Sequence, residues 1–135
     1  MTGLKSSVLI IKKELGLENI FGADVSKNLS HTLAVIEKNN YSSVVIDLET
    51  LTADEAFEVV KKLKIKNPNS QALIIRGNTS VTELQKISNN FQIFKIHTHY
   101  QQDLLSYDIQ ESLAEYDLNK QNHDLLQIIP DGLFH

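Results

Sequence analysis

The sequence predicts an α/β domain built on a doubly wound parallel sheet, and three observations carry that expectation. Val44-Val-Ile46 and Ala72-Leu-Ile-Ile75 are short apolar runs rich in β-branched residues, the pattern of strands covered on both faces. Each run is followed by a helix-opening signature, because Thr52-Ala-Asp-Glu55 and Ser80-Val-Thr-Glu83 both have capping-box spacing. The resulting alternation of strand and helix favours parallel crossover units. In an open sheet of this kind chemistry gathers beyond the carboxyl ends of the strands, which draws attention to Asp47 at the end of Tyr41-Ser-Ser-Val-Val-Ile-Asp47.

The elements follow in order. Leu4, Val8, Ile11 and Leu15 recur at helical spacing and Gly16 follows as a helix-ending residue, so residues 4–15 read as a helix, although Ser7-Val-Leu-Ile-Ile11 also suits a strand. Leu17-Glu-Asn-Ile-Phe21 reads as a short strand. Leu29, Leu33 and Ile36 mark an amphipathic helix ending near Asn39-Asn40. After the Asp47 strand comes a helix with Ala53, Ala56, Val60 and Leu63 on one face, broken by Asn67-Pro-Asn-Ser70. The 72–75 strand closes at Arg76-Gly-Asn78, and a short helix runs through Val81, Leu84 and Ile87. Phe91 to Ile96 reads as a third strand. A long final helix carries Leu105, Ile109, Leu113 and Tyr116 as one stripe, which suits packing on the sheet. Leu118, Leu125 and Ile129 continue on a shifted face, which suits either a partner helix or a return onto the domain.

Composition bounds the function. With 135 residues, 41% apolar and 22% charged, the chain can bury the core of one domain with an extension. A net charge of −4 with scattered Lys and Arg provides no basic stripe for nucleic acid. No apolar run exceeds the four residues of Val8 to Ile11, too short to span a membrane, and Met1-Thr-Gly-Leu-Lys5 lacks a signal-peptide core. No cysteine is present, so thiol catalysis and cysteine metal sites are excluded. A cytoplasmic protein is expected. Glu14, Glu18, Asp24 and Glu37 are scattered, and the five glycines form no phosphate-binding loop. His97 and His99 read as a solvated loop pair without a third metal ligand, and no metal, cofactor or enzyme activity is expected.

Four segments in their order resemble a bacterial response-regulator receiver domain over residues 4–126. They are Lys13-Glu-Leu-Gly-Leu-Glu-Asn-Ile20, Tyr41-Ser-Ser-Val-Val-Ile-Asp47, Ile93-Phe-Lys-Ile96 before a helix, and Glu115-Tyr-Asp-Leu-Asn-Lys-Gln-Asn-His-Asp-Leu-Leu126. The resemblance implies a five-stranded flavodoxin-like sheet and a role in two-component signalling. It implies a phosphoacceptor at Asp47, served in active members by an acidic pair that holds Mg²⁺, a Thr or Ser ending the fourth strand, and a Lys ending the fifth.

The sequence departs from that recipe. If Val8-Leu-Ile-Ile11 is the first strand, Lys12 and Lys13 occupy the acidic positions, and the stretch to Asp47 reads as too short for a helix, a strand and a helix. If residues 4–15 are the first helix, the central first strand and its acids are missing or replaced. The second register is favoured, and the gap it leaves invites a domain-swapped homodimer. Arg76 sits in place of the hydroxyl residue and His99 in place of the Lys, so Asp47, Arg76 and His99 form a vestigial pocket in which Arg76 is positioned to pair with Asp47.

The expectation is therefore a non-catalytic pseudo-receiver. Residues 1–117 form the domain, and 118–135 extend toward a protein partner or output domain, with Leu118, Leu125 and Ile129 as the homodimer seam. Two alternatives stand beside it. One is a receiver phosphorylated on Asp47. The other is a STAS-like anti-sigma antagonist, suggested by Val44-Val-Ile-Asp-Leu-Glu-Thr-Leu51 before a helix, for which the sheet would be mixed. The tail Leu126-Gln-Ile-Ile-Pro-Asp-Gly-Leu-Phe134 also resembles the beginning of a PAS-type sensor domain.

Overall fold

The structure, a computed structural model, describes residues 7–12 and 21–128, with side chains through residue 121. Its strands are β1 (Val8–Ile11), β2 (Asp24–Ser26), β3 (Ser43–Asp47), β4 (Gln71–Ile75) and β5 (Lys95–His97). Its helices are α1 (Leu29–Lys38), α2 (Ala53–Lys66), α3 (Val81–Ser88) and α4 (Gln102–Ile128). The strands form one sheet in the order β2-β1-β3-β4-β5, and every neighbouring pair is parallel. This is the doubly wound, flavodoxin-like arrangement.

The register with a missing first strand is overturned. Val8–Ile11 is a strand, and it lies at the centre of the sheet between β2 and β3. The helical spacing of Leu4, Val8, Ile11 and Leu15 misled because four consecutive apolar residues satisfy a helix stripe and a two-sided strand equally well. Burial decides between them. Leu9 and Ile11 enter one core with Val44, Ile46, Ala72 and Ile74. Val8 and Ile10 enter the other with Val45, Leu73 and Ile75. That period of two across three adjacent strands is the signature of a sheet buried on both faces. With the central strand present, no gap calls for a swapped strand, and the all-parallel order excludes the mixed sheet of the STAS-like alternative.

The second strand also lies elsewhere than expected. It occupies Asp24–Ser26, while residues 17–20 of the expected strand lie outside the described residues. Asp24-Val-Ser is nearly mute in hydropathy because it is an edge strand, held through backbone pairing of Asp24, Val25 and Ser26 with Leu9, Ile10 and Ile11. Buried Tyr41 adds a cross-tie, its hydroxyl donating to Asp24 Oδ2 at 2.7 Å. Burial of the ring, then the Asp24 carboxylate, pushes the phenol pKa up, so it serves as a donor throughout the accessible pH range. The third expected strand starts later than predicted, at Lys95, and Phe91 is spent on the core beside Phe57.

Capping sets the helix starts as the sequence indicates. Thr52 and Glu55 exchange both bonds of a capping box, and Ser80 accepts from the Glu83 amide. Helices α1, α2 and α3 cover the Leu9 face of the sheet through Ile36, Val60, Leu63, Leu84 and Ile87. The opposite face is covered by Leu105 and Ile109 of α4, with Leu113 packed against them.

The corrected register has a direct consequence. Ile10→Ala removes a fully buried side chain from the central strand and is expected to destabilise the domain by about 3 kcal/mol in urea unfolding. A residue outside the sheet at that position would lose far less.

Candidate functional site

The carboxyl ends of β1, β3, β4 and β5 meet at one edge of the sheet, and the register decides what stands there. Ile11 pairs with Ile46, so Lys12 and Asp47 emerge side by side. Asp47 pairs with Ile75, and Ile75 with His97, which aligns the third, fourth and fifth strands at the same level.

Asp47 is 2% exposed and saturated with donors. Its Oδ2 accepts from Lys12 Nζ at 3.1 Å and from Thr50 Oγ1 at 2.9 Å, and its Oδ1 accepts from the Glu49 amide at 3.3 Å. Its backbone carbonyl accepts from the amides of Thr50 and Leu51, closing the turn that leads to α2. Lys12 keeps 22% of its side chain exposed, with its ammonium 6.0 Å from the centre of the Tyr100 ring. A carboxylate buried to this degree is costly without polar partners, and Lys12, Thr50 and the Glu49 amide supply them.

Arg76 does not take that role. It stands one residue beyond β4 and turns its Nε onto the Thr79 carbonyl at 2.8 Å, while its amide donates to the His97 carbonyl at 2.7 Å. Gly77 follows with φ +58, and a Cβ there would lie 2.6 Å from Glu49 Oε2. The turn needs glycine. The cation that meets Asp47 comes from β1 instead.

The two histidines separate. His99 is exposed, whereas His97 is buried at the end of β5, its Nε2 2.9 Å from Oδ2 of the buried Asp108. The carboxylate approaches off the N–H direction, giving a close electrostatic contact without a well-directed hydrogen bond. This contact ties β5 to α4, and the reading of His97 as a solvated loop residue is corrected. The available signal was Asp108, which falls between Leu105 and Ile109 on the buried arc of α4. Lys12 was visible as the residue after the β1 run, but its partner depended on the register of β1 against β3.

The site fits a divalent metal poorly. Mg²⁺ takes oxygen ligands and is usually held by carboxylates. Here Asp47 faces an ammonium where a second carboxylate would stand, and no group of three His, Asp or Glu side chains suited to a metal occurs among the described residues.

No family model matches the chain, and no curated protein sequence matches it. Solved structures do. An adenylate cyclase from Rhodopirellula baltica is 24% identical, with 92% of this chain and 98% of that one covered and a TM-score of 0.75. The beryllofluoride-activated NtrC4 receiver domain, a dimer in solution, is 18% identical, with 81% and 97% covered and a TM-score of 0.63. NtrX from Brucella abortus in complex with ATP is 13% identical, with a TM-score of 0.71; 95% of this chain matches 31% of that one. The fold is that of receiver domains. At these identities the likeness speaks for fold alone.

Of the residues expected along α4, Leu118 is exposed, while the side chain of Leu125 and all of Ile129 lie outside the described residues.

Two substitutions separate the cations. Lys12→Met leaves Asp47 buried without its counter-charge and is expected to cost about 2 kcal/mol in chemical denaturation, part of the cost being relieved by solvent at the exposed side of Lys12. Arg76→Ser is expected to cost less than about 1 kcal/mol, since it removes one bond to a loop carbonyl.

Proposed function

We propose that the domain is a non-catalytic, receiver-like signalling module that acts by docking to a protein partner and does not depend on phosphorylation. The observation that carries this reading is the Lys12–Asp47 pair. Phosphoryl transfer to a carboxylate needs a free oxygen to attack and cationic groups around the transferred oxygens. Both Asp47 oxygens already accept hydrogen bonds, the ammonium beside them is engaged by the carboxylate itself, and among the described residues no acidic cluster stands ready to hold a charge-neutralising Mg²⁺. The carboxylate thus has a cationic partner from within the chain.

The organisation of the chain supports docking. Among the described side chains of α4, Tyr116 is the last with a bond to the body of the domain, its hydroxyl accepting from Asn67 Nδ2 at 3.1 Å. Beyond it the described part of α4 carries no buried side chain. This supports a division at residue 117, with 118–135 reaching toward a partner or output domain. No helix among the described residues is long and apolar enough to cross a membrane, in keeping with a signalling role in the cytoplasm.

Asp47 as a phosphoacceptor is the second reading, favoured by its position at the end of the third strand. Amide NMR spectra recorded with acetyl phosphate, or with beryllofluoride, and Mg²⁺ distinguish the two. No change at Asp47 and its neighbours is expected. A site-specific shift that disappears in Asp47→Asn would establish the phosphoacceptor instead.

A further inference from the structure

Helices α1 and α2 pack side by side over the Leu9 face of the sheet, and a groove of about 550 Å³ runs between their outward faces. Leu33 and Glu37 of α1 form one wall, and Glu58, Lys61, Lys62, Ile65 and Lys66 of α2 form the other. Leu33 is half-buried and packs onto the core beneath, whereas Ile65 is 73% exposed, the largest value for a big apolar side chain among the described residues. A water-facing helical position is better served by Ala, Lys or Glu, so neither packing nor helix propensity accounts for isoleucine there. Lys62 and Lys66 both reach from α2 to Glu37 at the end of α1, one to its carboxylate at 2.6 Å and the other to its backbone carbonyl. Their methylene stems therefore cross between the helices and extend the apolar surface next to Leu33 and Ile65.

Charge identifies the occupant. The Lys62 ammonium engages Glu37 and holds its carboxyl below the usual carboxylate range. Of the other charges on the two helices, Lys38 and Lys64 stand at the same end, Lys64 donating to the Ser70 carbonyl, and His31 lies in the first turn of α1. Asp54 and Glu55 occupy the opposite end of α2, where Glu55 closes the capping box. At the groove end, five lysines (Lys38, Lys61, Lys62, Lys64 and Lys66) thus stand against two glutamates, Glu37 and Glu58, in a chain whose net charge is −4. Lysines in a last turn suit the negative end of a helix, which accounts for Lys38, Lys64 and Lys66. Lys61 lies a turn earlier, is exposed, and enters no ion pair among the described residues. A second copy seated on the same groove would set these lysines against their own duplicates. Nucleic acid calls for a continuous basic stripe, and Asp54, Glu55 and Glu58 interrupt one along α2. An acidic protein segment carrying an apolar side chain satisfies both the lysines and the exposed isoleucine.

We infer that the groove between α1 and α2 docks a short acidic segment of a partner protein, which seats an apolar side chain against Leu33 and Ile65 with carboxylates toward the surrounding lysines. This rests on the docking function proposed above, and it names the partner's chemistry. Glu58 to Ile65 spans two turns of α2, roughly 11 Å, so the contact is compact and draws its approach rate and selectivity from charge.

The test pans a displayed library of short peptides against the full chain, without Mg²⁺ or phosphoryl donor. One central position is fixed as Leu, and the flanking positions vary among Glu, Gln and Lys. Selection is expected to enrich Glu. The selected peptide should shift the amide NMR signals of Leu33, Lys61 and Ile65 and bind less tightly as salt rises. It should bind about tenfold or more weakly to Ile65→Ser and to Lys61→Glu. Both positions are exposed, so folding is preserved and is checked by circular dichroism. Absence of enrichment, enrichment of Gln or Lys, amide shifts confined to other parts of the domain, or binding that survives either substitution unchanged overturns the inference. Self-association in sedimentation that Ile65→Ser abolishes assigns the groove to a second copy and overturns it too. So does binding to phosphatidylserine vesicles that Lys61→Glu abolishes, which assigns the groove to a membrane surface. Phosphorylation of Asp47 is read in a separate experiment, so failure of the non-catalytic reading and failure of this one are told apart.

Discussion

The contact between Lys12 and Asp47 is the constraint on which the site depends. Parallel pairing of β1 with β3 delivers the two residues to the same point, and burial of the carboxylate makes the pair obligatory, because an isolated buried charge is too costly to keep. Thr50 and the Glu49 amide complete the coordination, and the Asp47 carbonyl anchors the turn into α2. One residue thus fixes the end of the third strand, the following loop and the charge state of the site.

The two faces of the sheet divide the labour. One is sealed by α1, α2 and α3 around Leu9, Ile11, Val44, Ile46 and Ile74. Among the described residues, the other is covered by α4, through Leu105 and Ile109 and the buried contact of Asp108 with His97, with Phe21, Ala23, Phe94 and Tyr100 packed beside them. A helix laid on a sheet presents its opposite side outward, and at a 1.5 Å rise per residue the 27 residues of α4 reach roughly 40 Å, more than the width of the strands it covers. The geometry that lets α4 close the core also leaves its outer face exposed.

What could be read in advance followed from how much local signal each element carries. β3, β4 and the starts of α2 and α3 were legible because two-sided burial and capping both write themselves into adjacent residues. β1 was misread because Val8-Leu-Ile-Ile11 fits two periods at once. β2 was misplaced because Asp24-Val-Ser forms by pairing its backbone to a neighbour, which side-chain pattern does not report. In the site, Asp47 stood out as an acid closing an apolar run. The expected role of Arg76 failed because its Nε is engaged by the Thr79 carbonyl, and His99 proved less informative than its buried neighbour His97.

By itself, the sequence determined the fold class, the capped helices and the strand ending in Asp47, since each is a property of residues close together along the chain. Only the tertiary structure decided which cation meets Asp47, which histidine is buried, and which side of the last helix remains open. Those outcomes depend on strand register and on how one helix sits over a sheet, relations between residues tens of positions apart. A one-residue change in such a relation sends side chains to different neighbours, and nothing local in the sequence records it.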